Sequence, residues 1–370
     1  MSYLKRLENI QKLLKECSCD ALLVDDAINL FYMTGLDLSA GKLLIDTRTA
    51  HLFVDGRYFE LCSKKSPFPV LLAETHPLHE QLILPDFSFI KAIAFDSENT
   101  SHKKFIELSA VIEKTQKHAH NKRKFTLVPL DNPIQHLRMI KDVQEIDDLR
   151  QAGKLGSEGF DYACSILKEG ITEKEVACEL DIFWKKSGGR KVAFESIIAF
   201  GVNGSMPHYR GGDVKLQKNQ AVLIDIGVDY KYYNSDMTRM AFFGKAPEQI
   251  SIIHTIVQHA QRHAMDLCKP GSLIGDIDAA ARSFIESQGY GENFTHGLGH
   301  GVGLEVHELP VVKNKPPFAS VVLQEGMVLT IEPGIYLPGV GGVRIEDTVV
   351  ITESGYESLT NRSTDPFCIA

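Results

Sequence analysis

No stretch of this 370-residue sequence stays apolar for long. The longest such runs, typified by AVLIDIG from Ala221, fall far short of the ~20 residues that a membrane-spanning helix needs, so no membrane association is expected. Positive charge is also in deficit: 40 Lys and Arg stand against 48 Asp and Glu, a formal net charge of −8. That balance gives no reason to expect nucleic-acid binding. Paired cysteines are missing too. Seven are scattered from Cys17 to Cys368. Only Cys17 and Cys19 lie close together, and no second pair completes a zinc-site spacing. Free thiols in a reducing cytoplasm are the expectation. The opening MSYLKRLENIQKLLKECSCD is amphipathic and mixed in charge, without the apolar core and cleavage site of a secretory signal. That too points to the cytoplasm.

What is present is the composition of a soluble globular protein, 44% hydrophobic and 24% charged, in a chain long enough for two domains. In the first ~130 residues the hydrophobic period alternates. Leu4, Leu7, Ile10, Leu13 and Leu14 fit one helical face. ALLVDD from Ala21 reads as a short buried strand, and KLLIDTRTAHLFVD from Lys42 as two strands around a turn at Asp46–Thr49. RYFELCSKK begins a helix, and KAIAFDSENTSHKKFIELSAVIEK reads as strand, loop and helix. The expected fold class is therefore α/β (α+β). A break is expected within LVPLDNPIQHLRMIKD, which divides the chain into domains 1–133 and 134–370.

The second part contains a weak repeat. KEGITEKEVACELDIFWKKSGG from Lys168 aligns with KPGSLIGDIDAAARSFIESQGY from Lys269, an offset of 101 residues. Gly170 then meets Gly271, Val176 meets Ile277, Phe183 meets Phe284, and Gly188 meets Gly289. Each copy reads as a helix entered through a Gly-containing turn and closed by Gly, with Thr172 and Glu175 as a capping box in the first. Another helix precedes each copy, 146–167 and 249–268, and a candidate hairpin follows each.

Both hairpins carry acids inside apolar strands. In LIDIGVDYKYYNSDMTRMAFF a turn centred on Tyr230–Lys231 would set Asp225 opposite Asp236, with Cβ atoms roughly 5 Å apart, although Tyr-Lys is not a favoured turn. In MVLTIEPGIYLPGVGGVRIEDTVVIT, Pro333 ends one strand just after Glu332, and Glu346 lies on the return strand. Glu332 follows Asp225 by nearly the repeat offset. Unpaired carboxylates are costly to bury, and two divalent cations would neutralise four of them. Such a pair of ions activates water and polarises a carbonyl. Oxygen ligands with one imidazole suit Mn²⁺, Co²⁺, Fe²⁺ or Zn²⁺ without deciding among them.

The run HGLGHGVGLEVHE, from His296 to Glu308, concentrates histidine and glycine. Its glycines argue against a helix and suggest a backbone that lets something approach closely. A different metal reading starts from His259 and His263 in HAQRH, which stand at zinc-binding i,i+4 spacing. The acid of the HExxH pattern is absent there, and a plain helix pair is the expectation.

Taken together, MPHYRGG from Met206, LIDIGV with SDMTR, HGLGHGVGLEVHE, LTIEPGIY and GVRIEDT resemble the metallopeptidases of the creatinase or pita-bread fold. That family includes aminopeptidase P, prolidase and methionine aminopeptidase. The motifs occur in family order over about Ile140 to Thr352, and the first ~130 residues resemble the additional domain of the proline-specific members. The resemblance implies a creatinase-like N-terminal domain and a C-terminal pita-bread domain with a pseudo-twofold repeat. It implies two divalent metal ions, Mn²⁺ first, on Asp225, Asp236, His300, Glu332 and Glu346, with Asp236 and Glu346 bridging. Glu332 would also shuttle protons, His208 and His307 would contact the substrate carbonyl or the tetrahedral intermediate, and His296 would support the site. Arg344 would orient the acids, with Tyr336 near the same cluster. Glu305 and Glu308 would not be ligands.

The implied reaction is attack of metal-bridging hydroxide on the bond before proline, a tertiary amide whose ring nitrogen must be protonated as it leaves. The first expectation is an Xaa-Pro aminopeptidase acting on peptides with proline at the second position. The alternative is an Xaa-Pro dipeptidase (prolidase), which needs a cationic group for the free prolyl carboxylate. A non-catalytic peptide-binding relative is the remote alternative, disfavoured by the complete ligand set. The proline-specific members further imply a homodimer.

Overall fold

The computed structural model describes residues 3–118 and 124–369, which fall in two compact units, Met1–Leu137 and Arg138–Ala370. The first unit is built on a six-stranded sheet. Its spatial order is Val70–Leu72, Ala50–Val54, Lys42–Asp46, Ala21–Val24, Ala92–Asp96 and Thr126–Leu130. Lys42–Asp46 runs antiparallel to both neighbours, and the other pairings are parallel. The expected hairpin forms around Asp46–Thr49, closed by Asp46 N–H donating to Thr49 O at 2.8 Å. The helices Gly56–Lys65 and His102–His118 form where expected.

The first helix, Tyr3–Glu16, departs from the expected stripe. It buries Leu7, Ile10 and Leu14 but leaves Leu4 60% exposed. At 3.6 residues per turn, Leu4 and Leu13 lie about a quarter-turn to either side of the buried stripe. Arg6 is buried instead, donating to Tyr32 O and stacking on the Tyr32 ring. All seven cysteines are unpaired, including Cys17 and Cys19. No helix among the described residues is long and apolar enough to cross a membrane.

The second unit realises the repeat. Helices Val143–Ile166 and Glu173–Lys186 are followed by three strands of a four-stranded sheet, whose fourth strand, Phe367–Ile369, comes from the end of the chain. Helices Glu248–Met265 and Ile274–Ser287 are followed by the strands of a five-stranded sheet. The paired glycines share a left-handed backbone: φ is +86° at Gly170 and +91° at Gly271, then +96° at Gly188 and +85° at Gly289. A side chain at these positions would be strained, so both copies enter and leave their second helix by the same turns. Gly170 N–H donates to Leu216 O, and Gly271 N–H donates likewise to Leu323 O, both at 2.9 Å. Thr172 and Glu175 make the reciprocal capping box, whereas Leu273, its counterpart, gives no side-chain cap.

Two apolar layers hold this unit. Val176, Leu180 and Trp184 pack on Ile198, Val222 and Ile224 from one face of the four-stranded sheet. Ala221 and Leu223, on the alternate positions, join Ile253, Val257, Ile277 and Ala281 of the second helix pair and Leu329 and Ile331 of the other sheet. Asp225 follows the parity of Ala221 and Leu223. It therefore points to the side where the two halves meet, and an isolated bridge, Thr238 to Glu346, links the sheets there.

Candidate active site

The first acidic hairpin does not adopt the expected register. Asp225 pairs with Thr238, not Asp236, and Tyr230 with Tyr233. The turn centres on Lys231 and Tyr232, which both adopt positive φ, +50° and +75°, the backbone of a tight hairpin turn. The two-residue shift keeps both acids on one face because side chains alternate with period two. Asp225 and Asp236 are therefore diagonal neighbours.

The second hairpin is a direct pair. Ile331 pairs with Asp347 and Gly334 with Arg344, so Glu332 and Glu346 stand opposite each other between the two ladders. Pro333 cannot donate to a ladder, and the pairing breaks at that point. Glu346 N–H donates instead to Thr238 O at 3.1 Å, which draws the two hairpins together.

All five expected ligands converge. Ligand atoms of Asp236, His300 and Glu346 lie within 4.8 Å of one another. His300 Nε2 is 3.3 Å from Glu332 Oε1 and 3.6 Å from Asp236 Oδ2. His300 Nδ1 lies 3.1 Å from Gly301 O, an arrangement that places a proton on Nδ1 and turns Nε2 toward the acids, where it could bind a cation. Asp225 Oδ2 accepts from Arg344 Nη2, while its buried Oδ1 has no hydrogen-bond partner. An orphaned carboxylate oxygen beside three further acids fits a cation site.

Electrostatics agree. Burial, then the charges of Glu346, Asp225 and Glu332, raise the Asp236 carboxyl far above its usual range. Burial and the charge of Glu332 do the same to Glu346. Asp225 is raised by burial, with Arg344 opposing. Burial also acts on Glu332, but the hydrogen bond and charge of His300 outweigh it and its carboxyl is lowered. Burial pulls the His300 imidazole down, and Glu332 more than restores it, leaving it raised. Four buried acids with so little counter-charge cannot all ionise unless cations join them.

Behind the acids runs a hydrogen-bonded chain. Arg344 donates from Nη1 to Tyr336 OH at 2.8 Å and from Nε to Thr238 Oγ1 at 3.1 Å. Thr238 Oγ1 in turn donates to Glu346 Oε2 at 2.7 Å. Tyr336 OH lies 2.9 Å from His296 Nε2, and His296 Nδ1 lies 2.7 Å from Gly297 O, so the tyrosine donates to the imidazole. Tyr336 is thus a member of the polar network, with its hydroxyl pushed up to about 12 by burial. The His307 ring lies 4.1 Å from that of His300. Its pKa is lowered by burial and by the charges of His300 and His208. His208 itself is exposed. Its neighbour Pro207 accepts from Arg344 Nη1 through its carbonyl, at 3.4 Å.

Thr238 and Thr330 fall outside the expected set. Thr330 Oγ1 accepts from His300 N–H at 3.1 Å and donates to Glu332 Oε1 at 3.2 Å. Each threonine lies two residues from a site acid, so period-two alternation already placed it on the same face. The glycines of the histidine run require a correction. A Cβ at Gly299 would overlap Thr330 O, at Gly301 Leu309 O, and at Gly303 the Glu308 carboxylate. They admit the protein's own chain, not a ligand. Glu305 and Glu308 are held by cations: Arg138 donates to both, and Lys141 Nζ donates to Glu308 at 2.7 Å. His259 and His263 are exposed and pack on Phe284, as a plain helix pair would.

Comparison with known proteins bears on this arrangement. Residues 147–353 match the model of metallopeptidase family M24, and residues 6–140 that of the creatinase/prolidase N-terminal domain. An Xaa-Pro dipeptidase of Pyrococcus furiosus is 36% identical over 357 residues, covering 96% of this chain and 97% of the relative. The crystal structure of a prolidase from Pyrococcus horikoshii superposes with a TM-score of 0.86 at 35% identity, covering 98% and 99% of the two chains. An X-Pro aminopeptidase from Thermotoga maritima gives 0.85 at 32%, covering 95% and 98%. The chain belongs to metallopeptidase family M24, has its pita-bread fold, and is a metal-dependent hydrolase.

Proposed function

We propose that this chain is an Xaa-Pro dipeptidase, hydrolysing the bond before a C-terminal proline. The observation that carries this reading is the near-full-length similarity to relatives named Xaa-Pro dipeptidase and prolidase. It replaces the first expectation, release of the N-terminal residue from longer peptides. That expectation survives as a second reading because a solved neighbour is named an X-Pro aminopeptidase.

Asp225, Asp236, His300, Glu332 and Glu346 would hold two divalent ions. The donor set and the partnerless Asp225 Oδ1 fit them; four carboxylates and one imidazole suit Mn²⁺, Co²⁺, Fe²⁺ or Zn²⁺, of which the family resemblance puts Mn²⁺ first. When bound, such ions supply Lewis acidity and lower the pKa of water. The protein's own residues do the rest. Glu332, held by Thr330 and His300, is suited to take a proton from the attacking water and deliver it to the prolyl nitrogen. His307 and His208 would donate hydrogen bonds to the carbonyl oxygen as it becomes negative. Arg344 fixes the acids through Asp225 and Thr238, and His296 steadies the far end of that chain through Tyr336.

Assaying Ala-Pro beside Ala-Pro-Ala separates the two readings. A dipeptidase releases proline from Ala-Pro and leaves the tripeptide intact. Cleavage of the tripeptide with the dipeptide untouched would reject the proposal in favour of the aminopeptidase.

A further inference from the structure

His208 stands on the segment 200–212, which leaves the four-stranded sheet at Phe200 and returns as the Gly211–Gly212 pair. Away from the ligands, one fully buried acid meets both legs of this segment. Glu173, the first residue of helix Glu173–Lys186, is 0% exposed. Its Oε1 accepts from Phe200 N–H and Asn203 Nδ2, both at 2.8 Å. Its Oε2 accepts from Tyr209 OH at 2.8 Å and Gly212 N–H at 3.1 Å. Asn203 Nδ2 also donates to Tyr209 OH at 2.9 Å, closing the ring of contacts.

Two of these donors are main-chain amides, which can only donate. The other two are oriented to do so by the Asn203–Tyr209 bond. All four come from the segment that carries His208, and none is a cation. A buried acid without a counter-charge is costly unless its lone pairs are filled; here they are. The same helix end adds backbone bonds to the returning leg, Lys174 N–H to Gly212 O and Glu173 N–H to Val214 O. The segment's outward side carries Val202, Met206, His208 and Arg210, all exposed.

We propose that Glu173 is a positioning residue: by clamping both legs of segment 200–212 it fixes where His208 meets the substrate. The proposal rests on the role given above to His208. Glu173 need not touch the reacting atoms itself, because a displacement of ~1 Å in a contacting group can lower a rate about 100-fold.

The test is a double-mutant cycle in the full-length, metal-loaded chain. Glu173→Gln, His208→Ala and the double variant are assayed on whichever of Ala-Pro and Ala-Pro-Ala the unaltered chain cleaves, with bound metal quantified for each. Glutamine keeps one acceptor oxygen but in either orientation turns an amide group toward a main-chain donor, Phe200 N–H or Gly212 N–H. The expected result is a 10- to 100-fold loss of kcat/KM in Glu173→Gln with metal stoichiometry unchanged, and little further loss when it is added to His208→Ala. Full activity in Glu173→Gln, loss of metal from it, or losses that multiply in the double variant would each overturn the proposal. An unimpaired His208→Ala beside an impaired Glu173→Gln would remove the His208 role itself, and the clamp's route with it. If Glu173→Gln does not fold, Tyr209→Phe and Asn203→Ala each remove one donor and enter the same cycle with the same criteria.

Discussion

Glu332 and Glu346 face each other at the one gap between two ladders of the same hairpin, with Ile331–Asp347 on one side and Gly334–Arg344 on the other. Like charges placed directly opposite are destabilising, and Asp236 adds a third acid to the same cluster. Without cations the acids avoid this repulsion by staying partly protonated; divalent ions would let them ionise and would favour the native state. Chelation should lower the Tm of the unaltered chain, as loss of a ligand specific to the native state must. Chelation should lower that of Glu346→Gln by much less, read by calorimetry with and without Mn²⁺. A Tm indifferent to chelator would show that no ion occupies the cluster.

Asp236 and His307 should separate metal binding from turnover. Asp236→Ala removes an acid whose ligand atom lies among those of His300 and Glu346, and should abolish metal loading and hydrolysis together. His307→Ala takes away a ring that packs at a tilt against His300 without joining the acids, and should lose turnover while keeping its metal. Elemental analysis beside a peptide assay distinguishes the two. A His307→Ala protein empty of metal would make that histidine part of the metal site.

The loop between His300 and Glu308 hangs on a buried ion cluster. Glu308 is held by Arg138 and Lys141, all three side chains being nearly inaccessible. Burial opposes its ionisation, but the two cations outweigh it and hold its carboxyl below the usual range. Removing one member strands the others. Glu308→Ala should destabilise the second unit by about 3–5 kcal/mol, measured by urea unfolding. A change below about 1 kcal/mol would show that the cluster is solvated after all.

His254 gives the stability a pH dependence away from the site. It packs against Phe242, its Nε2 is buried without a partner, and burial lowers its pKa to about 4, with Asp365 opposing. The unfolded chain takes up the proton near pH 6.5, the folded chain only near 4. Stability should therefore fall as pH drops through that window and level off below it, by at most about 3 kcal/mol. Whatever His254→Phe does at neutral pH, it should flatten this part of the curve. An unchanged slope between the two proteins would exclude His254 as its source.

Much of this was legible in the residues. The period of the hydrophobic pattern located four of the six strands of the first unit's sheet, but not Val70–Leu72, Thr126–Leu130 or helix Ala27–Thr34, which are short or fall where a break was expected. An offset of 101 residues located four glycines that share one backbone conformation. The acids stood out because they interrupt apolar strands. What escaped has identifiable causes. The turn at Lys231–Tyr232 uses positive φ at two residues that carry no sequence signal for it, so the register of Asp225 shifted by two. The partners of Glu308 lie 167 and 170 residues away in sequence, and no local pattern links them. Glu173 looked like the start of an ordinary helix because its four donors come from a segment some 30 residues on. Leu4 shows the reverse error: an apolar residue near a stripe, but about a quarter-turn off it.

The most direct measurement is the rate of proline release from Ala-Pro by chelated, full-length protein as Mn²⁺ is added back. A two-ion peptidase starts from no activity, gains it with metal, and saturates as two ions bind per chain. Turnover unaffected by chelation, or no proline release from the metal-saturated protein, would contradict a metal-dependent Xaa-Pro dipeptidase built on Asp225, Asp236, His300, Glu332 and Glu346.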